Sequence, residues 1–221
     1  MIGLLRRTKA FTVPFFIMVG LTSILLLFYN KIEIELWINA RNAPFFDIFF
    51  KYFTHLGDGV TAAIISLIVI LLNIRKGVIL LLSYLISGLI IQMLKIHVFP
   101  DILRPVGMIE LTPAIHLVEG VKLWGIQSFP SGHSGTAFAV FYCFAAFTNN
   151  RRIQGLAFIT AVLLAYSRLY LFQHFLTDVI AGAVLGTFTS LVFIILFDRW
   201  NLMNRLNKPV FSFQSGDSGT K

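Results

Sequence analysis

His174 and Asp178 stand four residues apart, a spacing that puts two side chains on one face of a helix. A carboxylate so placed can hold one imidazole nitrogen protonated and leave the other free to attack an electrophile. The pair alone is a common surface pattern, so its meaning depends on its company. A second histidine, His133, follows Ser131 and Gly132 in the stretch SFPSGHSGTAF, Ser128 to Phe138. Three cations, Lys95, Arg104 and Arg168, lie at or near the ends of apolar runs. Arg offers a fork suited to bidentate phosphate contacts, and Lys a point charge. Amides at a helix start near Gly132 would add the helix dipole. Together these groups describe a phosphate cradle flanked by two imidazoles; a carboxylate ligand would rarely need three cations. His174 can take a phosphoryl group while His133 protonates the leaving oxygen, after which water releases phosphate. Two imidazoles and an aspartate could also bind zinc, but three neighbouring cations would repel a divalent ion.

These residues need elements to hold them. Of the 221 residues, 57% are hydrophobic and 13% charged. The apolar runs approach the ~20 residues needed to cross a bilayer core of roughly 30 Å. They are continuous rather than alternating, which predicts helices and excludes a barrel. The expected fold is an all-α integral membrane protein, a bundle of six spans at about 11–29, 59–74, 77–94, 133–148, 153–171 and 175–197. Tight connections, Asn73–Gly77 and Asn149–Gln154, join the second span to the third and the fourth to the fifth. No internal repeat, linker or second domain is visible, so 1–221 reads as a single membrane domain. The Ser/Gly-rich stretch 212–221 is expected to be a disordered tail. The first run follows Arg6-Arg7-Thr8-Lys9, with no small-x-small cleavage site behind it, and reads as a retained anchor.

Six alternating spans place both termini on one side. That side carries Arg6, Arg7, Lys9, Arg75, Lys76, Arg151, Arg152, Arg199, Arg205, Lys208 and Lys221. The other carries Lys31, Arg41, Lys51, Lys95, Arg104, Lys122 and Arg168, offset by acids such as Glu33, Glu35, Asp47 and Asp58. The excess on the first side predicts cytoplasmic termini. The net charge of +8 then reflects topology and attraction to anionic headgroups rather than nucleic acid. Every candidate site residue falls on the opposite, outer face at one depth. Charges near lipid are costly unless they pair or face a polar cavity, so a shared pocket is expected.

Other residues have simpler readings. The segment Asn30–Asp58, with its alternating acids and aromatics, suits an amphipathic piece lying in the headgroup layer. Cys143 reads as a small core residue, and His55 and His116 as interfacial or solvated. Asp58 reads as a turn and helix start, with a place in the pocket wall as the alternative. Gly182 and Gly186 form a small-xxx-small face that suits close packing within the bundle.

The motifs resemble those of a known family. Pro130-Ser131-Gly132-His133 matches its PSGH signature, and Ser167 to Asp178 fits SRx5Hx3D at every fixed position. Lys95 with Arg104-Pro105 resembles its first motif, K…RP, with eight intervening residues where the family usually has six. Over about residues 50–195 the chain resembles the type 2 phosphatidic acid phosphatases, whose pocket is shared with vanadium haloperoxidases. The resemblance implies His174 as nucleophile, Asp178 as its orienting group and His133 as general acid. It implies phosphate binding by Lys95, Arg104, Ser131, Gly132 and Arg168, with no metal or cofactor. It also implies a lipid phosphatase working at the outer leaflet of a bacterial inner membrane. Candidate substrates are phospholipids such as phosphatidic acid and phosphatidylglycerol phosphate, lipid A, and polyprenyl diphosphates such as undecaprenyl diphosphate. The same residues would serve a lipid-to-lipid phosphotransferase. An anion or lipid transporter is the reading from another class, though the charges cluster at one face rather than mid-span. Oligomeric state is left open.

Overall fold

Asparagines mark three of the helix starts. Asn30 forms a capping box with Glu33, Asn73 accepts from the Lys76 amide, and Asn150 accepts from the Arg152 amide. The computed structural model describes residues 2–199, and its regular structure is entirely helical. In chain order the helices are α1 (Ile2–Arg7), α2 (Lys9–Phe28), α3 (Lys31–Asn39), α4 (Pro44–Phe53), α5 (Gly59–Leu72), α6 (Ile74–Met93), α7 (Pro105–Met108), α8 (Gly132–Ala146), α9 (Arg151–Tyr170) and α10 (Leu176–Arg199). A 3-10 turn, Thr54–Gly57, leads into α5, and a π-helical turn, Leu94–Val98, extends α6. The expected tail, 212–221, lies outside the described residues.

Each of the six expected spans is a helix, with ends within a few residues of expectation. Four are long and apolar enough to cross a membrane: α2, α6 with its π turn, α9 and α10. The pair Pro44–Gly57 and Gly59–Leu72 qualifies together, bent by 55° at Asp58. α8 has 15 residues, about 22 Å of rise, which is short of a bilayer core. It is instead the central post of the bundle. It is buried along most of its length and packs on α10, α9 and α6. The segment Asn30–Asp58 forms two short helices and the 3-10 turn, with Phe45, Ile48 and Tyr52 outward and Phe50 against Tyr170.

Glycine sets the α8–α10 distance. A Cβ on Gly186 would strike the Gly135 carbonyl, one on Gly182 the Ser131 carbonyl, and one on Gly135 the Ile91 side chain. The small-residue face is thus used inside the bundle. Cys143 is buried there too, near Ser83.

Polar contacts sort the bundle's two ends. Arg7 donates to the Ala146 carbonyl at 3.2 Å, Gln154 donates to the Arg7 carbonyl at 2.9 Å, and Arg75 pairs with Asp198 at 2.7 Å. The N-terminal segment, both tight turns and the C-terminal end of α10 therefore share one end. The starts of α5, α8 and α10 and the ends of α6 and α9 share the other, and all the candidate site residues are there.

Replacing Gly186 by Ala is expected to cost about 1–3 kcal/mol of stability, because the backbones must part. Gly20→Ala, where an added Cβ meets nothing within 4 Å, should leave stability equal or slightly higher. Thermal unfolding of the two variants in detergent would check the contrast.

Candidate active site

Asp178, in the first turn of α10, is the hub. Its Oδ2 shares a 3.4 Å contact with His174 Nδ1 and accepts from the Ser128 hydroxyl and, at 3.0 Å, the Phe175 amide. Its Oδ1 accepts from the Thr177 hydroxyl at 3.1 Å. Its own carbonyl accepts from the Ser131 amide at 2.9 Å, which ties the start of α10 to the start of α8. His174 sits just before α10, after a turn in which Phe172 takes a left-handed conformation, φ 57°. The Gln173 and His174 amides both donate to the Arg168 carbonyl there. A bulky residue in that region costs about 1–3 kcal/mol and persists where packing over-determines it; Phe172 is fully buried.

The imidazole of His174 is 2% exposed. Burial lowers its basicity; Asp178 opposes this through its hydrogen bond, and the charges of Arg104 and Lys95 reinforce it. The net direction is downward, so His174 is neutral at physiological pH. With Nδ1 facing Asp178, Nε2 is the nitrogen with a free lone pair when Nδ1 carries the proton.

The three cations come from three elements. Lys95 lies in the π turn at the end of α6, buried, with Nζ donating to the Gln127 carbonyl at 2.9 Å. It interacts electrostatically with Arg104, Asp178 and Arg168, so the longer spacing to Arg104 does not remove it from the cluster. Arg104, just before α7, donates through Nε to the Ile126 carbonyl at 3.0 Å and through a terminal nitrogen to the Gln173 backbone and side chain at 3.4 Å. Arg168, in the last turn of α9, donates to the Thr54 hydroxyl at 2.8 Å, and its buried Nε has no hydrogen-bond partner among the described residues. Ser131 caps α8, accepting from the Ser134 amide, and Gly132 opens the helix. The N-termini of α8 and α10 thus converge on the cations, and both present the positive end of a helix dipole.

His133 and Arg168 line a cavity of about 320 Å³, together with Lys51, Thr54, Asp58 and Lys122 among others. His174 and Lys95, both buried, and Arg104, half-buried, lie outside its lining. The arrangement can hold a phosphoryl group between guanidinium groups, helix starts and two imidazoles.

Several residues here were not singled out in the sequence. Ser128 and Thr54 hold the two ends of the site, and Gln173 sits between Arg104 and the Lys122 carbonyl. Asp58 precedes α5 but makes no side-chain cap; both its oxygens go to imidazoles, His133 and His55, so the pocket-wall alternative applies. His55, expected to be interfacial or solvated, is exposed but hydrogen-bonded to Asp58 at 2.8 Å and lines the cavity. His116, given the same expectation, is half-buried and contacts Asp47 at 3.0 Å, while Asn39 clamps its backbone through the Asn39 amide. These contacts pin the 109–125 loop over the site.

The family profile described as the PAP2 superfamily matches residues 76–202. The chain belongs to the PAP2 superfamily. Among similar proteins, a lipid A 1-phosphatase of Rhizobium johnstonii is 34% identical over 133 residues, covering 59% of this chain and 51% of that protein. The chain therefore spans about half the length of that relative. A lipid A 4'-phosphatase of Bacteroides thetaiotaomicron is 25% identical over 186 residues, covering 80% of this chain and 81% of that protein. Among solved structures, Aquifex aeolicus LpxE aligns with TM-score 0.66 and 25% identity, covering 74% of this chain and 93% of that one. The transmembrane PAP2 type phosphatidylglycerolphosphate phosphatase of Bacillus subtilis aligns with TM-score 0.60 and 23% identity, over 87% and 96% of the two chains, and shares the fold.

Behind the site, Glu35 of α3 is 1% exposed, and among the described residues neither carboxylate oxygen has a hydrogen-bond partner. Burial, with the charge of Asp178, pushes this carboxyl well above its ordinary value of 4.5, so it stays protonated in the folded protein. The unfolded chain releases that proton as pH rises past 4.5 while the folded protein keeps it, so stability falls with pH in that window. Glu35→Gln, neutral and of the same shape, is expected to match wild type near pH 4 and to gain over it progressively at higher pH. Thermal midpoints in detergent across pH 4–8 would check this.

Proposed function

We propose that this protein is a metal-independent membrane lipid phosphatase that works through a phosphohistidine on His174. The observation that carries the reading is two buried cations, Lys95 and Arg168, and a half-buried third, Arg104, gathered with a neutral, carboxylate-bound histidine and a second histidine at one end of a helical membrane bundle. In this reading Lys95, Arg104 and Arg168, with Ser131 and the Gly132 amide, bind the phosphate oxygens. His174 attacks phosphorus through Nε2, with Asp178 holding Nδ1–H. The bond to the lipid oxygen breaks as His133 gives that oxygen a proton. Water then attacks the phosphohistidine, His133 takes the water's proton, and inorganic phosphate and free His174 result. No net proton is needed from outside the site over the cycle.

In this reading the protein sits in a bacterial inner membrane with six spans, cytoplasmic termini and the site at the periplasmic face. α8 is the fourth of the six spans in chain order, kept short because its neighbours rather than lipid surround it. The substrate class is a lipid phosphate monoester or diphosphate at the outer leaflet. The names of the relatives favour the phosphates of lipid A, and the cavity mouth, with Lys51 and Lys122, suits a polyanionic headgroup.

The test is phosphate release by detergent-solubilised protein from a panel of phosphatidic acid, phosphatidylglycerol phosphate, undecaprenyl diphosphate and lipid A, with and without chelator. Hydrolysis of at least one lipid is expected, unchanged by chelator; no release from any would overturn the reading. His174→Ala should fall to background and lose an alkali-stable, acid-labile phosphoryl label on the denatured protein. His133→Ala should lose roughly 10²–10⁴-fold for want of its general acid.

A further inference from the structure

The His133 side chain does not stand alone in the cavity wall. Its Nε2 lies 2.5 Å from Asp58 Oδ1, and the other oxygen of that carboxylate lies 2.8 Å from His55 Nδ1. Three residues from two separate segments thus form a chain running from the site outward: His133 is about one-third exposed and His55 largely exposed. The bend between α4 and α5 delivers Asp58. The chain leaves the 3-10 turn in an extended conformation, φ −73° and ψ 148°, and the Gly57 position packs against the His133 ring and backbone. Asp58 occupies the position before α5 where a carboxylate usually caps the helix, yet it leaves that role unfilled.

The charges around His133 explain why such a partner is needed. Burial of the ring disfavours an imidazolium first, Asp58 opposes this through its hydrogen bond and charge, and Arg168 from α9 and Arg104 from the loop before α7 reinforce the effect of burial. Lys51 of α4 and Lys122 of the 109–125 loop line the same cavity and add to that field. Asp58 supplies the negative charge that faces His133, and His55 the second hydrogen bond that fixes the rotation of the carboxylate. Partial burial opposes ionisation of Asp58, but the hydrogen bonds from His133 and His55 outweigh it and hold this carboxyl at about 2.

We propose that Asp58 is a positioning residue that favours the protonated form of His133 and aims it beside two guanidinium groups, so that it can serve as the general acid. The residue lies outside the PSGH, SRx5Hx3D and K…RP motifs. The inference rests on the reading of His133 as the proton donor. Because His174 is neutral across the working range, loss of the His133 proton sets the alkaline limb of the pH–rate profile. Without the carboxylate that limb moves to lower pH, and the loss is confined to the alkaline side.

The experiment is the pH profile of kcat/KM for wild type, Asp58→Asn, Asp58→Glu and His133→Ala, on the lipid of the panel above that is hydrolysed fastest. Asp58→Asn keeps size and shape, and its fold is checked by thermal unfolding. The expected result is an alkaline limb moved acidward by about one pH unit or more, as expected when an opposite charge is removed from a titrating group. Activity below the limb should stay within about threefold of wild type, and Asp58→Glu should restore most of the shift. A uniform loss at every pH, or an unmoved limb, would overturn the proposal. Full activity in His133→Ala would instead overturn the reading on which it rests.

Discussion

The approach of α8 to α10 is the constraint on which the site depends. Missing methyl groups at Gly182 and Gly186 let two backbones come to within carbonyl contact, and the one missing at Gly135 makes room for Ile91 of α6. At that distance the Ser131 amide reaches the Asp178 carbonyl, which ties the two helix starts together. His133 rides on one of these helices, and His174 immediately precedes the other. The relation between the two imidazoles is thus set by helix packing, a rigid determinant, rather than by loop conformation. The same approach aims both helix dipoles at one point, so in the proposed reaction the preorganised field would cost no rearrangement when a phosphoryl group arrives.

The partners chosen by the cations follow from that field. Lys95, Arg104 and Arg168 are satisfied by the Gln127, Ile126 and Gln173 carbonyls, the Gln173 amide oxygen and the Thr54 hydroxyl. Among the described residues none of the three forms an ion pair with a carboxylate. A neutral oxygen orients a guanidinium or ammonium without cancelling its charge. A carboxylate in the same place would compete with a ligand phosphate and would have to be displaced first. The carboxylates are spent elsewhere, Asp178 on His174 and Asp58 on His133. Glu35, which could have added a third negative charge behind the site, is buried so deeply that it stays neutral.

Much of this was legible in the sequence, for identifiable reasons. The i, i+4 spacing of His174 and Asp178 encodes contact directly, and the apolar runs encode the six helices. The positions of Lys95, Arg104 and Arg168 at run ends encode a common depth. What was hidden depends on long-range contacts. Thr54 meets Arg168 across 114 residues, and nothing periodic links them. Ser128 lies inside the stretch that drew notice, but its hydroxyl looks like turn punctuation until α10 is packed against it. The π turn at Lys95 has no composition signal, although it places that lysine within the cluster. Asp58 and His116 looked like loop residues because their partners come from other segments. The 15-residue α8 shows the converse: its apolar run predicted the helix but not that protein would surround it instead of lipid.

Neutral partners on the cations have one more consequence. In the proposed phosphatase, a pocket whose cations carry only neutral partners would hold the released orthophosphate ion as well as the phosphoryl group of the lipid. The freed lipid alcohol would leave sideways into the bilayer, whereas the ion would have to climb out of the field through the cavity mouth, past Lys51 and Lys122. Escape of the small product rather than bond cleavage would then limit turnover in the proposed reaction, and the anion content of the surrounding medium would act as a brake.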